Sequence, residues 1–156
     1  MSNPWITVAD PRDVQSLARD MRACDRQEVA AASGLSPNNG LLISMARSPR
    51  CWAAIDAQGT FAMWGVGVAS SLATEGSPWL LGADRLVTDH RQLFVRRSRE
   101  FVTWMRQEYV VLRNYVDARN TASLRWLKWC GFDILPAEPY GVAKLPFHPF
   151  YMRTSA

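Results

Sequence analysis

The sequence predicts an α/β (α+β) fold in a single domain spanning residues 1–156, and three observations support this class. Strand-like and helix-like segments follow one another along the whole chain, with no linker or composition break between them. The stretch from Asn114 to Phe132 contains a buried strand, a polar corner, a short amphipathic helix, a glycine and a second strand. A chain of 156 residues is also long enough to bury a core without disulfides or metals.

Cap residues and the period of the apolar residues locate the individual elements. Up to Pro49, apolar residues three and four apart predict helices, and after it continuous apolar runs predict strands. Asp10 and Ser36, each followed by proline, favour helix starts, and Asp25 with Glu28 resembles a capping box. The predicted elements are a strand at 5–8, helices beginning after residues 10, 25 and 36, strands at 51–56, 60–70 and 79–86 with a loop at 75–78, a helix at 90–108 capped by Thr88 or Asp89, a strand at 112–118, a helix ending at Gly131 and a return strand at 147–152.

The segment after the strand at 112–118 carries the most specific pattern. Asn120 can cap a helix through its side-chain oxygen, and Gly131 suits the left-handed position that ends one. The spacing resembles the closing unit of the GCN5-related N-acetyltransferase (GNAT) fold at Asn120, Ser123, Gly131 and Phe132. The order of the predicted elements is similar to that fold as well. The resemblance implies a mixed, mostly antiparallel central sheet flanked by helices, splayed between the strands at 79–86 and 112–118.

The resemblance also implies where a cofactor would bind. A GNAT holds the pyrophosphate of acetyl-CoA on a glycine-rich loop at the start of its long central helix, where backbone N–H groups face the anion. The corresponding residues 85–92 contain no glycine, and Asp89 at the predicted helix start would repel a phosphate. Arg91 and Asn120 are the remaining candidates for cofactor contact. We therefore expect no cofactor, with acetyl-CoA as the alternative.

The catalytic residues that the resemblance implies are also incomplete. Many GNATs place a proton-donating tyrosine seven residues after the motif asparagine, and this chain has Leu127 there, which cannot transfer a proton. Asp84 is the candidate base and His90 a second one, although the simpler interpretation is a loop or edge carboxylate for Asp84 and a solvated histidine at a helix start for His90. Only His90 and His148 are histidines, and the three cysteines are widely spaced, so no metal site is predicted and the thiols suit a reducing compartment.

A closer resemblance is carried by several short segments. They lie at residues 24–34, 62–66, 78–84, 114–132 and 146–150. These segments are similar to the internal virion protein A family of short-tailed bacteriophages, whose members are GNAT-like and lack the usual phosphate loop. The resemblance implies a catalytically degenerate protein that acts in virion morphogenesis or internal virion structure through contacts with other phage virion proteins, in the virion interior or the host cytoplasm. An active N-acetyltransferase with an atypical acetyl-CoA loop and a phage-encoded inhibitor of a host protein are the alternatives.

Composition and exposed aromatic residues bear on the partner. The net charge is +4, and sixteen of the eighteen basic residues are arginine, but no aromatic–basic motif supports nucleic-acid binding. No run of eighteen apolar residues exists, so no membrane span is predicted.

Trp126 and Trp129 share a helix that is apolar over most of its circumference, which predicts a core role for Trp126 and makes Trp129 the candidate for partner binding. Four arginines crowd the long helix, either as a solvated face or as a docking patch: Arg96, Arg97, Arg99 and Arg106.

Overall fold

The computed structural model describes residues 3–154, and the strands in this range form one mixed sheet. The strands are β1 (Trp5–Val8), β2 (Cys51–Asp56), β3 (Gly59–Gly67), β4 (Glu75–Gly82), β5 (Val111–Asp117), β6 (Asp133–Ile134), β7 (Glu138–Tyr140) and β8 (Leu145–Arg153). Their order across the sheet is β1-β2-β3-β4-β5-β8-β6, and β7 pairs with β8. The β4–β5 pair is parallel, and the other described pairs are antiparallel. The predicted mixed, mostly antiparallel sheet is confirmed.

Six described helices flank the sheet, and most of their ends follow the predicted cap residues. They are α1 (Pro11–Asp20), α2 (Ala23–Ser33), α3 (Pro37–Ala46), α4 (Arg85–Thr88), α5 (Arg91–Glu108) and α6 (Thr121–Cys130). The side-chain oxygens of Asp10, Ser36 and Asn120 accept first-turn N–H groups of α1, α3 and α6. Gly34 and Gly131 end α2 and α6 with φ angles of 72° and 99°, which a side chain disfavours.

The sheet divides between β4 and β5. These two strands pair only at their beginnings, where Glu75 faces Val111 and Gly76 faces Leu112. Further along, the amide of Asn114 donates to the carbonyl oxygen of Pro78 at 3.0 Å, and the strands then separate. The predicted splay between the strand before Leu86 and the strand at 112–118 is therefore present.

Two hydrophobic clusters lie on either side of this division. The first joins α1 and α3 to β2, β3 and β4 around the fully buried side chains of Leu17, Leu41 and Phe61. The second joins α5 and α6 to β5 and β8 around Leu112 and Phe150. The clusters share elements at the division, because Leu93 and Phe94 of α5 pack against the first cluster and Val66 of β3 belongs to the second. Side chains therefore pack on both sides of the gap between the strands.

The connection from β3 to α5 differs from the sequence prediction. Residues 75–78, predicted as a loop, begin β4. Proline is tolerated at position 78 because the ladder between β4 and β5 ends at Gly76, so no β5 carbonyl requires the N–H that proline lacks. The predicted strand at 79–86 ends at Gly82, and residues 85–88 form the one-turn helix α4. The N-cap of α5 is His90, whereas Asp89 ends α4. The predicted strand at 60–70 spans Gly59–Gly67 instead.

Two predictions about the helices before β2 are wrong. Asp25 does not cap α2, which begins at Ala23; its buried carboxylate instead accepts hydrogen bonds from the Arg22 guanidinium at 2.7 Å and from the Gly82 N–H at 2.9 Å. The Asp25 carboxylate thus binds the Gly82 N–H, 57 residues away, although the local sequence favours a helix cap. The spacing in α3 predicts Leu41, Leu42 and Met45 on its inner face; Leu41 is buried, but Leu42 is 40% exposed.

Candidate functional site

A cavity of about 330 Å³ lies in the splay between β4 and β5. It reaches from α2 and α3 on one side of the sheet to α5 and α6 on the other. Its walls are mostly apolar, and the lining residues with polar groups include Glu28, Asn114, Tyr115 and Tyr140. An apolar pocket with a few convergent polar groups is the usual form of a small-molecule site.

Glu28 is the most perturbed acid of this cavity. The helix α2 carries it to the end of β5, where one carboxyl oxygen accepts the N–H of Asp117 at 2.7 Å. Burial, with smaller contributions from the nearby carboxylates of Asp25 and Asp117, raises the pKa of Glu28 to about 7 against the lowering effect of that hydrogen bond. A carboxyl with a pKa near neutrality can take up or release a proton at physiological pH, as a general base requires.

Tyr115 and Tyr140 also line this cavity. The rings of Tyr115 and Tyr140 stack with centroids 3.9 Å apart. Burial raises the pKa of Tyr140, and the neighbouring Tyr115 adds to the increase. Leu127, at the position of the family's tyrosine, is buried and apolar. Sequence spacing gave no reason to select Tyr140, because it comes from β7, far from the motif helix.

The segment at residues 83–90 occupies the position where a GNAT has its phosphate loop. Five consecutive backbone N–H groups of this segment, those of residues 86–90, donate to the carbonyl oxygens of Ala83, Asp84 and Arg85 at 3.0–3.1 Å. In a glycine-rich loop, such backbone N–H groups would instead point toward a bound phosphate. The exposed carboxylate of Asp89 adds negative charge at the same end of α5.

Aromatic side chains also join α5 to α6 next to this segment. The ring of Phe94 stacks on Trp126 with centroids 5.3 Å apart, and the indole N–H of Trp126 donates to the Ser98 hydroxyl at 3.1 Å. Phe94 lies in the first turn of α5, so this bridge closes the gap between the two helices near the phosphate position. The N–H groups of residues 86–90 are thus occupied within the segment, and Phe94 and Trp126 fill the space between α5 and α6 beside it.

Arg85 and His90, which flank that segment, are held by structural ion pairs. The Arg85 guanidinium contacts the carboxylates of Asp20 and Asp56, each at 3.0 Å. The His90 ring stacks on Phe61 at 4.1 Å and places Nε2 2.9 Å from the Asp56 carboxylate. Burial alone would raise the pKa of Asp56, but the hydrogen bonds from His90 and Arg85 outweigh it and hold that pKa below its ordinary value. These contacts fix the position of Arg85 and His90 at the start of α5.

The candidate residues predicted from sequence do not come together in one site. Asp84 is exposed and its side chain makes no cap hydrogen bond. Arg91 lies on the outer surface of α5. Asn120 is buried and caps α6, and its amide nitrogen has no hydrogen-bond partner among the described residues. Trp129 is 46% exposed with the Arg99 guanidinium over its ring, whereas Trp126 packs against the core as predicted.

The element order, the splayed mixed sheet and the cap of α6 define the class of fold, which is that of the GNAT acetyltransferases. Three solved structures with this fold superpose over nearly the whole chain. Ard1 from Thermoplasma volcanium has a TM-score of 0.72 at 17% identity, covering 98% of this chain and 99% of its own. The ribosomal-protein-S18-alanine N-acetyltransferase from Escherichia coli has a TM-score of 0.68 at 12% identity, covering 99% and 96%. The yncA protein from Salmonella typhimurium, solved with its cofactor acetyl-CoA, has a TM-score of 0.67 at 16% identity, covering 99% and 96%.

Sequence comparison adds no closer relative: no protein-family model matches the chain, and neither does any curated protein. At these identities the structural likeness concerns the fold. Within residues 3–154, no helix is both long and apolar enough to cross a bilayer. The same residues contain no group of three or more histidine, cysteine or acidic side chains arranged to hold a metal ion.

Proposed function

We propose that this chain uses the GNAT fold as a binding protein and does not transfer acetyl groups from acetyl-CoA. One observation carries the proposal: the backbone N–H groups of residues 86–90 donate to carbonyl oxygens within the segment at residues 83–90. These N–H groups are therefore not free to bind a phosphate. The Phe94–Trp126 bridge supports it, because it closes the gap beside that segment. Fold alone does not imply function, so the altered site weighs more than the likeness to acetyltransferases.

Calorimetric titration with acetyl-CoA tests this proposal directly. We expect no heat of binding at neutral pH in the micromolar range, which corresponds to about −8 kcal/mol. The yncA protein, whose structure holds acetyl-CoA, is the matched positive control in the same buffer. Saturable micromolar binding to this chain would overturn the proposal and make it an acetyl-CoA-dependent enzyme.

The partner class that we propose comes from the sequence resemblance to internal virion protein A. The protein would then act in virion morphogenesis, bound to other phage virion proteins inside the particle or in the host cytoplasm during assembly. Trp129 is the proposed anchor, since an exposed tryptophan offers a large contact area. Mass spectrometry of purified virions should find the chain, and Trp129→Ala should lower phage yield while the isolated protein stays folded. A neutral Trp129→Ala combined with a lethal, folded Asp84→Ala would reject this role.

The position and the pKa of Glu28 favour a second candidate function, that of an acyltransferase whose thioester donor lacks the nucleotide part of acetyl-CoA. Its carboxyl faces the cavity and has a pKa of about 7. In such a reaction Glu28 takes a proton from a bound amine while the amine nitrogen attacks a thioester carbonyl. The C–N bond forms, the C–S bond breaks, and the thiolate leaves and is protonated.

A short thioester can test this candidate. The S-acetyl thioester of N-acetylcysteamine would be incubated with the protein and a mixture of peptides with free α-amino groups, and acetylated peptides counted by mass spectrometry. Glu28→Gln should reduce product formation by about 100-fold, the usual contribution of a general base. Asp84→Ala is the matched control and should leave the rate unchanged. Absence of product with the wild-type protein rejects this candidate.

A further inference from the structure

The outer surface of α5 carries arginines that no carboxylate compensates. Arg91, Arg96 and Arg99 are all exposed, and none has an acidic side chain within 4.0 Å among residues 3–154. They lie on one side of the helix, where they line a shallow depression with Gln92 and Val95. Val95 is 38% exposed in the middle of these charges. Mutual repulsion among unpaired cations is unfavourable for the isolated protein, so this arrangement suits an anionic partner.

The depression continues onto α6 through Trp129. The Arg99 guanidinium lies 4.8 Å from the Trp129 ring centroid, which joins the outer surfaces of the two helices. We call the surface formed by Arg91, Val95, Arg96, Arg99 and Trp129 the Arg–Trp face. It presents two exposed apolar side chains beside three guanidinium groups, which can each bind a carboxylate through two parallel hydrogen bonds.

We propose that the Arg–Trp face docks an acidic peptide segment of a partner protein, an inference that rests on the binding role proposed above. Arg91 and Arg99 are eight residues apart on the helix, roughly 12 Å along its axis. An extended peptide covers that distance in about four residues at roughly 3.3 Å each. Alternate acidic side chains would reach the arginines, and an apolar side chain between them would pack on Val95 or Trp129.

The same geometry favours a peptide over a nucleic acid. Sequence-tolerant nucleic-acid binding uses open aromatic faces on which bases stack, along a groove that follows the backbone. Here the guanidinium of Arg99 covers one face of Trp129. Acidic groups interrupt the line of cations, since Asp89 is exposed at the start of α5 and Glu100 pairs with Arg97 at 2.7 Å.

Fluorescence polarisation with a defined probe tests the inference on the 156-residue chain. The probe is a fluorescein-labelled 12-residue peptide, Glu-Glu-Leu repeated four times, and the comparison probes are Lys-Lys-Leu repeated four times and a 12-nucleotide oligothymidine. We expect the acidic peptide to bind most tightly and its Kd to rise about tenfold between 50 and 500 mM salt, because exposed charges are screened. Tighter binding of the oligonucleotide, or no binding of the acidic peptide at 50 mM salt, would overturn the proposal.

Charge-reversal variants locate the binding. Arg91→Glu, Arg96→Glu and Arg99→Glu combined should raise the Kd for the acidic peptide at least about tenfold. The matched control reverses three exposed arginines on other elements, Arg12→Glu, Arg50→Glu and Arg153→Glu, which changes the net charge equally. This control should stay within about threefold of the wild type, and circular dichroism should show both variants folded. Equal losses in the two variants would mean that net charge, not this face, binds the peptide. The acetyl-CoA titration tests the binding role separately.

Discussion

Two connections lead from the splayed strands into helices, and they compare differently with the GNAT pattern. After β5, a short turn ends at Asn120, whose side chain caps α6 as the motif predicts. After β4, residues 83–90 form a helical turn with the largely buried Arg85 at the position of a phosphate loop. The cap of Asn120 is a local contact with the Ser123 N–H, whereas the Arg85 guanidinium contacts the carboxylates of Asp56 and Asp20, 29 and 65 residues away. The first connection is therefore fixed by neighbouring residues and the second by distant ones.

The largest expected effect concerns the bridge between the two helices. Trp126→Ala removes the stack on Phe94 and the hydrogen bond to Ser98, so it should lower the free energy of unfolding by about 3 kcal/mol. It should not create acetyl-CoA binding, because the N–H groups of residues 86–90 stay occupied. Chemical denaturation and calorimetry measure the two effects. Micromolar acetyl-CoA binding by this variant would mean that the bridge, rather than the loop, blocks the cofactor.

A second effect concerns the carboxyl on the other side of the splay. The pKa of Glu28 is raised from 4.5 to about 7 on folding, so the folded state binds the extra proton and stability falls as pH rises between these values. Wild type should lose on the order of 2 kcal/mol more than Glu28→Gln between pH 5 and pH 8. Urea titrations at both pH values check this, with Asp84→Asn as the exposed control. Parallel pH profiles for wild type and Glu28→Gln would show that the carboxyl is not buried as described.

The connection from β5 through α6 can be tested at Gly131, where α6 ends. Gly131 has a φ of 99°, and an added Cβ would meet only Met152 Cε, at 3.6 Å, so the cost of a side chain there is backbone strain rather than a clash. Gly131→Val should destabilise the fold by about 1–2 kcal/mol. Gly67→Ala, at a glycine without positive φ and with Cβ contacts no closer than 3.8 Å, is the control. A melting temperature unchanged by Gly131→Val would contradict the left-handed end of α6.

The smallest expected effect separates the cap of α6 from any cofactor role of Asn120. Asn120→Ala should cost about 1 kcal/mol, because the Ser123 N–H loses its acceptor. Asn120→Ser keeps a capping oxygen and removes the unpartnered amide nitrogen, so its stability should stay close to that of wild type. Thermal unfolding of both variants provides the comparison. A serine variant as unstable as the alanine variant would show that the amide, and not the capping oxygen, matters.

Local chemistry explains which features could be predicted from the sequence. Caps and helix-ending glycines depend on neighbouring residues, and Asp10, Ser36 and Gly131 behave as predicted. Asp25 and Glu28 form a capping-box pattern, yet their carboxylates bind backbone N–H groups 57 and 89 residues away. No local pattern reveals such partners, and for that reason the most perturbed acid of the cavity was not among the predicted candidates.

The parallel junction of β4 and β5 has a consequence for how the chain is assembled. Strands β1–β4 come from residues 5–82 and strands β5–β8 from residues 111–153, so each half of the sheet is continuous in sequence. Two residue pairs, the Asn114–Pro78 hydrogen bond and the ion pair between Arg113 and Glu75, at 2.6 Å, join β4 to β5. Val66 of β3 adds a side-chain contact from the first half, because it packs in the second cluster. The molecule is thus a two-piece assembly, and fragments separated at the turn between Glu108 and Val111 should recombine into the native sheet.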